Sequence, residues 1–357
     1  MIFLNKKIFS FLFLFCFFAG FSFAKDYSVG VYYYPGWKDV PADGQADPWK
    51  RIKRAGIEPL LGFYPEGDDK VVDTQMRWMA KYGIDYVIYD WYWRAGKGVK
   101  LSHAIDAYGR LPDRHGVRFS IMWANHSDEP SSLADFDEMV KYWVDKYFLD
   151  ESYLKNNGMP VVFVFDPKRL EKNSALFGSN TEELFRRAQS YVKTRGLPGI
   201  YFVGGSQAIN FDVKKLLPTA GYSAISAYNY HVGYSGEMDR SRRFSRSYSE
   251  LTDGYMQSWR WILENSSLPY FLPLSSGWDK RPWGGSTDPL HDLSISDAAE
   301  FKAHLQKGKD MLNKYNGKSD GVVICCWNEY GEGSYIEPTK KYGFQYLEAV
   351  RDIFGNK

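Results

Sequence analysis

Apolar residues in this chain follow two rhythms. Short runs that are apolar at nearly every position occupy residues 29–34, 85–90, 118–124, 160–165, 200–204, 223–228, 270–275 and 321–327. Runs of that length with little polar alternation predict strands covered on both faces, as parallel strands are. Between them the apolar spacing lengthens to the helical period. Val72, Met76 and Met79 share one face, and Gly83 follows as a stop. Asn180 and Glu183 make a capping pattern ahead of Leu184, Ala188 and Tyr191, with Gly196 and Pro198 closing the element. Phe301, Leu305, Gly308, Leu312 and Tyr315 line a third face. Strand then helix, eight times over, predicts an α/β fold: a single (β/α)8 TIM barrel spanning residues 25–357.

An open doubly wound sheet is the rival architecture. It carries a glycine-rich phosphate turn after its first strand, where this chain has Tyr34, Pro35, Gly36 and Trp37. Residues 42–69, after the first predicted strand, and 278–294, after the seventh, are long insertions. Both follow strand ends, so the barrel predicts long βα loops on the face where such enzymes keep their sites.

Composition narrows the chemistry. Among 357 residues, 45 Lys and Arg stand against 43 Asp and Glu, a formal charge of +2. That lacks the broad positive field of a nucleic-acid binder. The aromatic load is high, with 12 Trp, 27 Tyr and 24 Phe, and flat rings are what the C–H faces of sugars stack on. Lys6 and Lys7 ahead of the apolar run 8–23, with Ser22 and Ala24 before a cut, predict a signal peptide over residues 1–24. The expectation is therefore a secreted or periplasmic protein, monomeric and without a stable membrane anchor. Cys325 and Cys326 are neighbours, and adjacent Cα atoms across a trans peptide sit about 3.8 Å apart, too close for ordinary disulfide geometry. They read as buried thiols.

In a barrel the reacting groups project from the C-terminal ends of strands. Those ends carry Tyr33, Tyr34 and Trp37; Asp90, Trp91 and Tyr92; Trp123, Asn125 and His126; Tyr228, Asn229 and His231; Trp278; and Trp327 and Asn328. Rings, amides and carboxylates together suit an oligosaccharide or polysaccharide. Glu329 and Glu332 are the best acid pair for glycoside cleavage, three positions apart in a glycine-containing turn. Asp90, Asp166 and Asp279 could each replace one member. Neither close Cys/His spacing nor a Gly-x-Ser-x-Gly elbow occurs, so no metal, no cofactor and no serine nucleophile is expected. Arg240, Arg242, Arg243 and Arg246 form a basic run that reads as a solvated loop, or as a reader of an anionic group on the glycan.

The segment Cys326-Trp327-Asn328-Glu329-Tyr330-Gly331-Glu332-Gly333-Ser334-Tyr335-Ile336-Glu337-Pro338, with Tyr342-Gly343 after it, resembles the closing strand of glycoside hydrolase family 99 and the wider family-99-like group. Val31-Tyr32-Tyr33-Tyr34-Pro35-Gly36-Trp37, Tyr89-Asp90-Trp91-Tyr92 and Trp123-Ala124-Asn125 also fit that group. The resemblance implies a metal-free, retaining glycosidase of α-mannosides. It implies Glu329 as the base on the sugar's own 2-hydroxyl and Glu332 as the general acid/base. Tyr330 and Gly331 stand where the mannosidase branch prefers Trp and His. Many relatives of this looser kind are labelled surface-polysaccharide glycosyltransferases. A transferase, for which Asp135 and Asp137 have metal-holding spacing, and a non-catalytic glycan-binding protein are the alternatives.

Overall fold

The computed structural model describes residues 27–37, 47–126, 129–232 and 243–355. The expected signal peptide, Arg240 and Arg242 lie outside the described residues. Eight parallel strands close a barrel: β1 (Val29–Tyr33), β2 (Tyr86–Arg94), β3 (Arg118–Trp123), β4 (Met159–Val164), β5 (Tyr201–Gly205), β6 (Ala224–Ser226), β7 (Tyr270–Ser275) and β8 (Ser319–Cys325). Closure is explicit in β1, which pairs with β2 through Gly30↔Tyr86 and with β8 through Val29↔Val322. Each remaining strand pairs in parallel with the next.

All eight predicted strands exist, with shifted ends. β2 runs on to Arg94 because Tyr92 and Trp93 fold back against Gly98–Lys100 in a hairpin. β6 keeps only three residues, which releases Tyr228, Asn229 and Tyr230 into the loop above it.

Side chains alternate across each strand. Tyr32, Ile88, Met122, Phe163, Val203, Phe271 and Val323 meet inside the barrel and fill it. Their neighbours Tyr33, Tyr89, Val162, Phe202, Leu272 and Ile324 point outward into the layer shared with the helices. That layer is the main core, and it explains the nearly unbroken apolar runs, since both faces of every strand are buried.

The three expected apolar faces lie on helices, and one helix starts at its expected cap, Asn180. Asp68 caps Asp69–Lys81 through Lys70 N, and Asn180 caps Thr181–Thr194 through Glu183 N at 2.8 Å. Ala298–Lys314 starts with a full capping box made by Asp297 and Glu300. Among the described residues no helix is long and apolar enough to cross a membrane.

Two local features differ from expectation or extend it. Cys325 and Cys326 are joined as a disulfide rather than standing as separate thiols. The expectation assumed a trans peptide; here the peptide between them is cis and the Cα atoms approach to 2.9 Å. The insertion after β1 builds a small core of its own from Trp37, Trp49, Ile52, Tyr64 and Tyr330. Trp37 stacks on Trp49 at 4.3 Å and donates its indole N–H to the Asn328 carbonyl. Burying each such indole contributes about 2–3 kcal/mol, so the insertion braces the loop that follows β8.

Candidate active site

The loop after β8 carries the acid pair in a tightly held turn. Trp327 N bonds to Tyr32 O, which keeps the chain alongside β1. Asn328–Glu329 then pairs with Ser334–Tyr335, and residues Tyr330–Glu332 form a single 3-10 turn between them. Two glycines are required. A Cβ on Gly331 would lie about 2.0 Å from the Trp283 ring, and Gly333 adopts φ +67 with the Asp279 backbone 2.7 Å from its Cβ position. Asp279 N also donates to the Glu332 carbonyl at 2.7 Å. The loop after β7 thus clamps the turn that holds both glutamates.

Glu329 is 3% exposed and Asp90, at the mouth end of β2, is 5% exposed. The Tyr228 hydroxyl sits between them, 3.1 Å from Glu329 Oε2 and 3.2 Å from Asp90 Oδ2. Burial raises the Glu329 carboxyl well above its usual range, and repulsion from Glu332 and Asp90 adds to this, while the Tyr228 hydrogen bond opposes it. Asp90 is likewise raised by burial. Burial pushes Glu332 up to about 7, with Lys280 pulling the other way. The remaining oxygens Asp90 Oδ1 and Glu329 Oε1, and the amide nitrogen of Asn328, have no hydrogen-bond partner. Asn328 is held in place by its other atoms, since its Oδ1 accepts from Tyr34 N at 2.9 Å.

Tyr34 and Tyr92 complete the inner ring. Both phenols are raised by burial and then by these carboxylates, Tyr34 chiefly by Glu329 and Tyr92 chiefly by Asp90. A second wall comes from β6 and β7. His231 meets Trp278 edge-on at 4.3 Å and shares a hydrogen bond with His291 at 3.2 Å. Burial lowers His231 to about 3, so it is a neutral imidazole. His126 is exposed and sits edge-on to Phe165 at 4.4 Å.

Other predicted contacts are committed to packing. Tyr33, Trp91 and Trp123 lie in the outer core, because each is the outward neighbour of an inward residue on its strand, and Trp327, just past the end of β8, joins the same core. Trp37 belongs to the small core of the insertion. Asn229 accepts from the Tyr255 hydroxyl and donates to Cys325 Sγ, and Asn125 ties down Asp166 by two backbone bonds. Of the alternative acids Asp90 lies beside Glu329, while the other two are occupied. Asp166 caps the helix Pro167–Leu176, and Asp279 is held by Arg281. Asp135 accepts from the Trp93 indole, and Asp137 pairs with Arg187. Of the basic run, Arg243 pairs with Glu250 and Arg246 with Asp288. Sequence reasoning missed Lys280 and Trp283; their only signal was the insertion that contains them.

A sequence model described as glycosyltransferase WbsX matches residues 54–350. The chain belongs to the WbsX family. A curated relative, the uncharacterized protein WxcX of Xanthomonas campestris pv. campestris, is 22% identical over 323 residues. That match covers 82% of this chain, yet the chain spans only 42% of the relative's length. Among solved structures, a family 99 glycoside hydrolase, the endo-α-mannosidase of Bacteroides thetaiotaomicron, superposes with TM-score 0.61 at 18% identity, covering 92% of this chain and 96% of that one. A glycoside hydrolase-like protein superposes with TM-score 0.65 at 15% identity, covering 92% and 94%. This WbsX-family member therefore has the glycoside-hydrolase-like barrel that its β8 motif resembles.

Proposed function

We propose that this chain is an exported retaining glycoside hydrolase acting on α-mannoside-type or α-rhamnoside-type linkages of a glycan. The observation that carries the reading is the pair of acids on one clamped turn, Glu329 buried and Glu332 half-buried, both raised by desolvation and Glu329 further by repulsion from Glu332. A carboxyl pushed up to about 7, as Glu332 is, keeps its proton into the neutral range, the state a general acid needs.

In this reading Glu329 takes the proton from the sugar 2-hydroxyl, and the freed oxygen attacks the anomeric carbon from the rear. Glu332 gives its proton to the departing glycosidic oxygen as that bond breaks. Water, deprotonated by Glu332, then opens the 1,2-anhydro ring while Glu329 returns its proton to O2, so configuration is retained. The Tyr228 hydroxyl supports Glu329 in its ionised form. The geometry requires a 2-hydroxyl trans to the leaving group, which α-mannosides and α-rhamnosides have and α-glucosides lack.

The family's transferase name motivates a second reading. Against it, Asp135 and Asp137 are already engaged by Trp93 and Arg187. The test is release of reducing sugar from a panel of α-manno-, α-rhamno- and α-gluco-linked glycans. Cleavage of the first two, lost in Glu332→Gln, supports the hydrolase. Transfer from a nucleotide sugar with no hydrolysis overturns it.

A further inference from the structure

A cleft of about 1140 Å³ opens beside the catalytic turn. Its lining includes Gly333, next to Glu332, and Trp283. The Trp283 ring occupies the space beside Gly331 and meets Tyr34 edge-on at 5.5 Å. Trp283 thus lines the cleft while also packing against the turn that carries Glu329 and Glu332.

The lining is strongly one-sided in charge. Arg51, Arg54, Arg281, Lys340 and Lys341 stand against two carboxylates, Glu58 and Asp279. Both carboxylates are already taken. Lys340 lies 2.5 Å from Glu58, and Arg281 grips Asp279 through two nitrogens at 2.5 and 2.7 Å. Among the described residues Arg51 and Arg54 pair with no carboxylate, and Lys341 lies over the Tyr342 ring at 4.6 Å. With a whole-chain charge of only +2, this surplus is a local feature. A cleft lined by one sign of charge concentrates counter-ions of the other sign.

We propose that this cleft binds an acidic saccharide unit, a hexuronate, belonging to the same glycan whose neutral linkage meets Glu329 and Glu332. The inference rests on the hydrolase reading above and names the substrate class. Guanidinium groups engage carboxylates through paired N–H donors. Trp283, Tyr335 and Tyr342 line the same space and supply faces for the sugar ring. Three lining cations that pair with no carboxylate among the described residues would contribute little to holding a neutral glycan.

The test uses the full chain carrying Glu332→Gln, so that ligands stay intact. Its binding of a galacturonate tetramer and of a neutral manno-tetraose is followed by calorimetry at low and high salt. The same titrations are repeated with Arg51→Gln, Arg54→Gln and Lys341→Gln added. The expected result is at least tenfold weaker uronate binding in the added variants and at high salt, with manno-tetraose binding unchanged. Equal uronate affinity in both proteins, or no uronate binding by either, overturns the proposal. Uronate binding through the three cations by a chain that hydrolyses no glycan would leave the cleft standing and remove the hydrolase reading. Hydrolysis of acidic and neutral glycans with kcat/KM unchanged by the three substitutions would remove the cleft alone.

Discussion

Tyr228 places its hydroxyl 3.1 Å from Glu329 Oε2 while also reaching Asp90 Oδ2 at 3.2 Å. A phenol has a single proton to donate, so the Asp90 side and the Glu329 side cannot both be ionised and both be satisfied. Burial raises both acids, and repulsion from Asp90 raises Glu329 further. Asp90 therefore competes with Glu329 for the Tyr228 proton.

Two substitutions should move the acidic limb of the kcat/KM profile in opposite directions. Tyr228→Phe removes the hydrogen bond that lowers Glu329, so the base protonates at higher pH and the limb rises, by about half to one unit for a bond worth ~1 kcal/mol. Asp90→Asn removes an acidic neighbour that raises Glu329, so the limb falls. Movement in the same direction, measured on an activated mannoside, would refute this proton arrangement.

Glu332 should set the alkaline limb. With its carboxyl pushed up to about 7, activity falls as pH rises through neutrality and the general acid loses its proton. Glu332→Gln abolishes that limb and lowers kcat by about 10²–10⁴ on ordinary glycosides. An aryl leaving group that departs without protonation restores much of the first step. Glu329→Gln shows no such rescue, and a rescue there would reverse the assigned roles.

The same residue links stability to pH. Its folded value lies above the ordinary 4.5, so the folded state binds the proton more tightly. That contribution is fully present below pH 4.5 and is lost as pH rises to about 7. Glu332→Gln should therefore stabilise the protein at pH 8, by at most about 3 kcal/mol, and change little at pH 4. Urea unfolding at the two pH values measures the difference.

Glu337 is the structural counterpart. Its Oε2 accepts from the Tyr64 and Tyr330 hydroxyls at 2.5 and 2.6 Å, and its Oε1 accepts from Gln75 at 2.9 Å. Every neighbour is a donor, so Glu337→Gln sets an amide N–H against one of them. A loss of about 1–3 kcal/mol is expected, seen as a lower denaturation midpoint. Unchanged stability would show that this network does not hold the β8 loop to the insertion.

The barrel was readable because burial on both faces leaves its mark on every strand as a continuous apolar run. The direction of individual side chains was not. Tyr32 and Tyr33, or Asp90 and Trp91, look alike as strand-end residues, and only the register of the closed sheet sends the first of each pair inward. That is why Tyr33, Trp91 and Trp123, though expected at the glycan, are found in the outer core. Glu329 and Glu332 were legible through their local turn. Trp283 was not, since its role depends on meeting Gly331 across the mouth, a contact between distant parts of the chain. The Cys325–Cys326 bond depends on a peptide geometry that residue order does not reveal.

The side chains of Tyr32, Phe163, Phe271 and Val323 plug the barrel below the carboxylates. Under the hydrolase reading there is thus no rear exit among the described residues: a glycan would arrive, and both fragments would depart, through one doorway at the C-terminal ends of the strands.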